Sequence, residues 1–290
     1  MRFLLLLIVW VSGFADHFVS FVIPCYNCEE WVEDTIESIY EQNLEDSFEI
    51  ICTDDASTDD TYNLLCALSL IHPEVKVFRH TANLGISAAR NTSVRMSQGD
   101  LIFCLDPGNV LEAESMEDLI EWLDISQSDV ACFSQARYFL DDLEEIGRAV
   151  YQTADEQYRL QDVLQTVDSP LFSGNYLYTR ESFNRAGGYP TQYGVLDSFA
   201  FGFEQIAHGC KLTYLPETFY WHRVDSDRYV FHEPLKSQVS GPFFQFLLDH
   251  RDLLRKRSIR WLEKEIKRVH KGKSFHDFTW AILNYKLMAK

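Results

Sequence analysis

The chain reads as an α/β fold: a mostly parallel sheet flanked by helices, followed by a C-terminal helical extension. Three observations carry this. Strand-like and helix-like patterns alternate through the first 106 residues, which is how parallel strands joined by crossover helices are encoded. The strand-like runs end in the polar loops "CYN", "TDDAST", "HTANLG" and "DPGN", and in such sheets ligands sit at the carboxyl ends of the strands. From residue 241 onward the pattern is helical.

The elements follow in order. "HFVSFVIP" is rich in β-branched and aromatic residues and stops at Pro24, so it reads as a buried strand. In "NCEEWVEDTIESIYEQN", Asn27 is placed to cap a helix with Glu30 three residues on, and Val32, Ile36, Ile39 and Tyr40 share one face. "FEIICTDD" is a second strand. Ser57 and Asp60 are candidate caps for the next helix, which carries Leu64, Leu65 and Leu68. "VKVFRH" is a third strand, "ISAARNTSVRMSQ" a third helix and "DLIFCLD" a fourth strand. "DPGNVL" reads as a type I turn with Pro107 at its second position. "DVACFSQARYFL" and "KLTYLP" are further strands, whereas residues 141 to 170 are acidic and irregular.

The net charge of −18 argues against nucleic acid as a partner. That charge is uneven. Residues 251 to 273 hold ten Lys or Arg against three Asp or Glu, so they carry +7 and the remainder −25. On a helix, Leu254, Ile259, Leu262, Ile266 and Val269 gather to one side with Trp261 at the border, and basic residues cover the other. This is the pattern of an interfacial helix drawn to an anionic membrane surface. Its alternative is an apolar stripe packed on the domain. Seven cysteines, several inside apolar runs, read as buried thiols of a reducing compartment. Residues 3 to 11, "FLLLLIVWV", are too short to span a bilayer. They read as a retained membrane-contacting segment, a signal-peptide core or a lead-in that packs on the domain. The expected location is the cytoplasmic side of a membrane, with the secretory pathway as the alternative.

Taken together, "VSFVIPCYNCEEWVEDTIESI", "IICTDDASTDDT", "ANLGISAARN" and "LIFCLD" resemble the nucleotide-sugar half of family 2 glycosyltransferases. The resemblance runs from about residue 18 to 116 and resumes from 173 to 228 with "SGNYLYTRESFNRAGGY" and "FYWHRVDSD". It implies a GT-A (Rossmann-like) domain over residues 18–235, nucleotide-binding in 18–116 and acceptor-binding in 117–235. A hydrophobic segment (1–17) precedes it and a basic helical region (236–290) follows. It further implies an inverting transfer of a hexosyl or N-acetylhexosaminyl unit from a nucleotide sugar, with a leaning to UDP, onto a hydroxyl of a glycan or lipid-linked acceptor. The alternative is a catalytically impaired relative that binds the donor or partners an active transferase.

Carried over residue by residue, the resemblance gives Asp55 contact with the donor base, supported by Asp54. Pro24 and Tyr26 would shape the first loop around that base, and Asn83, Gly85 and Arg90 would line the nucleotide pocket. Asp106 takes the place of the first metal-binding aspartate. The family's second carboxylate is absent, since Gly108 stands there. Asn109 offers a neutral oxygen, so Mg²⁺ or Mn²⁺ is expected at a weak site, with a cation supplied by the protein as the alternative. His222 and Arg223 fall where the family has an arginine-containing loop near the phosphates. Asp197 is the expected general base, with Leu196 where the family usually has Glu. Restoring a carboxylate by Gly108→Asp should tighten metal binding unless residue 108 needs a positive φ.

Overall fold

The computed structural model describes residues 17–42, 44, 48–151, 157–158, 171, 174–224, 234–254 and 256–269. The apolar run at 3–11 and most of the acidic stretch from 152 to 170 lie outside these. So do the side chains of Trp261, Ile266 and Val269.

The runs of β-branched and aromatic residues form β1 (Val19–Cys25), β2 (Phe48–Asp54), β3 (Val75–Arg79) and β4 (Leu101–Cys104). They are followed by β5 (Val110–Leu111), β6 (Val130–Phe139), β7 (Gly147–Val150), β8 (Gln157–Tyr158), β9 (Tyr176–Thr179) and β10 (Leu212–Arg223). All ten strands join one sheet with the order β3-β2-β1-β4-β9-β6-β10-β5, with β7 on β6 and β8 on β10. Strands β3, β2, β1 and β4 are mutually parallel. β9 runs antiparallel to both β4 and β6, and β6 is parallel to β10. The carboxyl ends of β1, β2, β4, β6 and β10 therefore share one edge, although β6 and β10 lie across the reversed β9.

Helices cover both faces. α1 (Val32–Tyr40), α2 (Thr61–Ile71) and α4 (Ser115–Ser126) lie on one side. α3 (Ile86–Met96), α5 (Arg180–Ala186), α6 (Asp197–Ala207), α7 (Pro234–Asp249) and α8 (Lys256–Val269) lie on the other. Successive strand residues serve opposite cores: Phe21 and Ile23 pack with Ile36 and Leu119, while Val22 between them packs with Val94 and Phe199. A strand buried on both faces needs an unbroken apolar run rather than an alternating one, and "FVI" and "LIFC" are such runs.

Several sequence expectations change. α1 begins at Val32, and Asn27 does not cap it: Asn27 sits at φ 48 and its Oδ1 accepts from the Thr58 amide at 2.9 Å. The start of α2 is met by Asp59, whose Oδ1 accepts from the Thr61 amide at 3.1 Å, while Ser57 Oγ accepts from the Asn27 amide. Asn and Ser thus tie two loops together instead of ending helices. β10 extends through His222 and Arg223, so these lie on a strand and not in a loop. The turn at 106–109 closes with the Asn109 amide donating to the Asp106 carbonyl at 3.0 Å, and Gly108 at its third position has φ +91. A positive φ there is the type II geometry, not type I.

The apolar stripe of α8 and the residues before it is also placed by the fold. Leu254 and Leu262 are 1% and 2% exposed in the core cluster with Phe243, Phe246 and Leu247, and Ile259 packs against it. The interfacial-helix expectation is corrected here: these side chains are covered by the domain, so they are not a lipid-facing stripe.

Candidate active site

The parallel edge brings together residues far apart in sequence. β4 ends just before Asp106, β1 runs into Tyr26, β2 into Asp55, α3 carries Arg90, and α6 starts with Asp197. At the centre lies Arg90, itself buried at 2% exposure. Its Nη1 donates to Asp197 Oδ2 at 2.5 Å and to Ser198 Oγ at 2.8 Å, and its Nη2 donates to Asp106 Oδ1 at 2.6 Å. Ser87 Oγ adds a 3.3 Å bond to Asp197 Oδ2. Burial lowers the Arg90 pKa, but the Asp106 and Asp197 carboxylates more than offset this and hold it well above its usual range. The guanidinium is therefore a permanent positive charge between two carboxylates.

Arg90 was expected to line the nucleotide pocket. It joins the expected metal ligand to the expected base. Helical spacing explains its aim: Ser87, Arg90 and Val94 lie on the buried side of α3, with Val94 packed under the sheet.

The loop before β9 closes the cluster from behind. Asn175 Oδ1 accepts from the Asp106 amide at 2.9 Å. Gly174 has φ +76, and a Cβ there would come within 2.9 Å of Ser198 Oγ and 3.3 Å of both Arg90 Nη2 and Asp106 Oδ2. Neither residue emerged from the sequence as part of the site, although the "SGN" motif that holds them was visible. Asn91, the acceptor residue of an N-T-S sequon, clamps Tyr189 with bonds of 2.8 Å to and from its backbone.

Asp55 is buried and already occupied. Its Oδ1 accepts from His80 Nδ1 at 2.7 Å and from the Leu84 amide at 2.9 Å, and its Oδ2 accepts from the Gly85 amide at 2.7 Å. His80 also contacts Thr92 Oγ1 at 3.0 Å. The residue expected to read the base thus holds the "ANLG" turn in place. Asp54 does the same for its own loop, pairing with Arg79 Nε at 2.9 Å and accepting from the Ser57 amide at 3.1 Å. Pro24 is buried in β1, whereas Tyr26 and Asn83 are exposed at the edge. Gly85 has φ +91 with open space where a Cβ would stand, so conformation rather than crowding asks for glycine there.

Arg223, expected near the donor phosphates together with His222, already has protein partners. Arg223 Nη2 pairs with Asp34 Oδ2 at 2.7 Å, Nη1 donates to the Leu140 carbonyl at 2.9 Å, and Nε donates to the Gly108 carbonyl at 3.3 Å. It is a strut between β10 and the 106–109 turn. Burial pushes the His222 imidazole below its usual pKa even though Asp106 pulls the other way, so at neutral pH it carries little charge. Asn109 is 3% exposed, and its Oδ1 accepts from the Arg223 amide at 3.2 Å, so its side chain braces the turn.

The donor set for a divalent ion is thin. Among the described residues no three His, Cys, Asp or Glu side chains gather around one point. Asp106, its side chain 25% exposed, is the one expected ligand left with a carboxylate at the edge. A single carboxylate together with phosphate oxygens and water suits Mg²⁺ or Mn²⁺; a cage made of protein alone does not fit these residues. Gly108→Asp is not expected to mend this. With φ +91, and Arg223 Cδ only 3.3 Å from a new Cβ, the substitution should cost about 1–2 kcal/mol. Thermal unfolding and Mn²⁺ titration of that variant check this; tighter Mn²⁺ binding at unchanged stability would contradict it.

A family model, "Glycosyl transferase family 2", matches residues 20–187, more than half of the 290-residue chain. The chain is 40% identical over 99 residues to chondroitin synthase of Escherichia coli, covering 34% of this chain and 14% of that one. Its fold is similar to S. aureus TarS 1-349 in complex with UDP-GlcNAc, with TM-score 0.62, 16% identity, and coverage of 79% of this chain and 65% of that one. It is likewise similar to a mannosyltransferase of Pyrobaculum calidifontis in complex with GDP-Man and Mn²⁺, with TM-score 0.60, 19% identity, and coverage of 81% and 64%. The chain therefore spans less than two thirds of each of these relatives.

Proposed function

The chain belongs to glycosyl transferase family 2, and from that premise we propose that it moves a hexosyl or N-acetylhexosaminyl unit from a nucleotide sugar to a hydroxyl of a glycan or lipid-linked acceptor, with inversion. The observation that carries this is the Asp106–Arg90–Asp197 cluster at the carboxyl edge of the sheet. A UDP-sugar donor fits the TarS likeness, whose structure holds UDP-GlcNAc.

In this reading Asp197 is the general base. An acceptor oxygen attacks the anomeric carbon, the bond from that carbon to the donor diphosphate breaks, and the hydroxyl proton passes to an Asp197 carboxylate oxygen. Asp197 is 4% exposed and paired with Arg90, so the pair must turn toward the acceptor before it can take a proton. In this reading the leaving diphosphate lies beside Asp106, next to the Arg90 charge, and a fixed charge aimed at developing negative charge lowers the barrier. Asp106 would hold Mg²⁺ or Mn²⁺, whose chemistry here is to neutralise the diphosphate; a related structure holds Mn²⁺ with its nucleotide sugar.

Transfer and donor hydrolysis with a panel of nucleotide sugars test the proposal. Activity should rise with Mn²⁺, fall in chelator and be largely lost in Asp106→Asn. Full activity in chelator would shift the neutralising role to Arg90, the buried cation beside Asp106. The second reading is a catalytically impaired relative. It is favoured by Gly108 in place of a carboxylate and by the ion-paired burial of Asp197. Nucleotide binding with no turnover at any Mn²⁺ concentration would select it.

A further inference from the structure

We infer that the exposed face of α8 is a docking surface for an anionic lipid bilayer, and that charge rather than insertion holds it there. Lys256, Arg260, Lys264 and Lys267 are all exposed. Their spacings of four, four and three residues place them on one face of the helix, in a line about 16 Å long. Glu263 is exposed beside them, and Arg251 and Asp252 are exposed just before the helix. The opposite side is committed to the domain, since Leu254 and Leu262 are buried and Ile259 packs against the core. Insertion into acyl chains would have to remove them from that core. What remains available to a partner is the basic line.

The rest of the molecule decides the partner and its orientation. Residues outside 251–273 carry −25, so an anionic plane is repelled by the body as a whole and attracted to this segment. A straight, convex line of lysine and arginine matches a plane of mobile headgroups, which can gather under it. A second protein would need a carboxylate row of the same spacing, and nucleic acid would meet the acidic body as it wrapped. α8 also rests on α7, which packs against the Gly194–Leu196 turn leading into Asp197. A bilayer at α8 would therefore lie on the flank that carries the proposed base.

The test is co-sedimentation of the full chain with vesicles of phosphatidylcholine alone, or of phosphatidylcholine with phosphatidylglycerol. Pelleting is expected with the anionic vesicles only, and it should fall as salt is raised from about 0.1 M to 1 M, where screening shortens from about 10 to 3 Å. Each basic side chain near an anionic surface is worth about a fivefold change in partition. The variant Lys256→Glu/Arg260→Glu/Lys264→Glu/Lys267→Glu should thus lose at least several hundred-fold, while nucleotide binding and thermal stability stay as in the parent. Equal pelleting with neutral vesicles would overturn the inference in favour of insertion. Unchanged pelleting of the fourfold variant would overturn it by placing the contact elsewhere. Equally tight capture by a soluble polyanion such as heparin, with no preference for lipid, would overturn the choice of a bilayer. Donor hydrolysis on the same preparations separates the two proposals: its loss with pelleting intact strikes the transferase reading alone.

Discussion

Asp197→Asn is expected to lower the transfer rate by about 10²–10⁴-fold, the usual cost of losing a general base, with donor affinity nearly unchanged. The base acts on the acceptor hydroxyl, not on the nucleotide. The geometry makes the substitution a clean one. An asparagine oxygen can still accept from Arg90 Nη1, which now reaches Asp197 Oδ2 at 2.5 Å, and Ser87 and Ser198 remain as neighbours. The cluster should hold its shape while losing the group that takes the proton. Single-turnover transfer at saturating donor gives the rate, and calorimetric titration with nucleoside diphosphate gives the affinity. A variant that turns over normally but binds nucleotide poorly would make Asp197 a structural partner of Arg90 and leave the base unassigned.

The largest stability effect should come from Arg90→Met. The change leaves the Asp197 carboxylate buried and without its cation, and strips Asp106 of the same partner. Removing one member of a buried ion pair typically costs about 3–5 kcal/mol, because the remaining charge stays desolvated. Denaturant unfolding should show that loss. The double variant Arg90→Met/Asp197→Asn should recover part of it, since the second change removes the stranded charge, and residues in direct contact are expected to be non-additive. A loss below about 1 kcal/mol, or strict additivity in the cycle, would mean that the pair is solvated and does not organise the site.

Much of this was legible in the chain. Unbroken apolar runs between helical patterns identify strands buried on both faces, and β1 to β4 formed where those runs lie. The same runs end next to Tyr26, Asp55 and Asp106, so the edge that carries the site followed from strand order. Arg90 within a helix, Asp106 in a polar loop and Asp197 at a helix start were also readable as charged candidates. Their mutual contact was not. Asp106 and Asp197 meet through one guanidinium because β9 reverses direction and delivers the loop before it, with α6 later, to the back of the cluster. Nothing local to any of the three residues encodes that.

Other partners in the site were not legible, for one physical reason. A side chain's type states which bonds it can make but not which partner arrives first. Asn109 could offer an oxygen to a cation, yet the end of β10 brings a backbone N–H to it. Arg223 could bind phosphate, yet Asp34 and two carbonyls already satisfy it. Likewise, an apolar helical stripe is written the same way whether it meets lipid or a protein core, because both remove it from water at similar gain. By itself the sequence determined the sheet, the edge and the charge asymmetry of the C-terminal region. The tertiary structure decided that Leu254, Ile259 and Leu262 lie in the core with α7, leaving a basic face of α8 outward, and that Arg90 is the cation that joins Asp106 to Asp197.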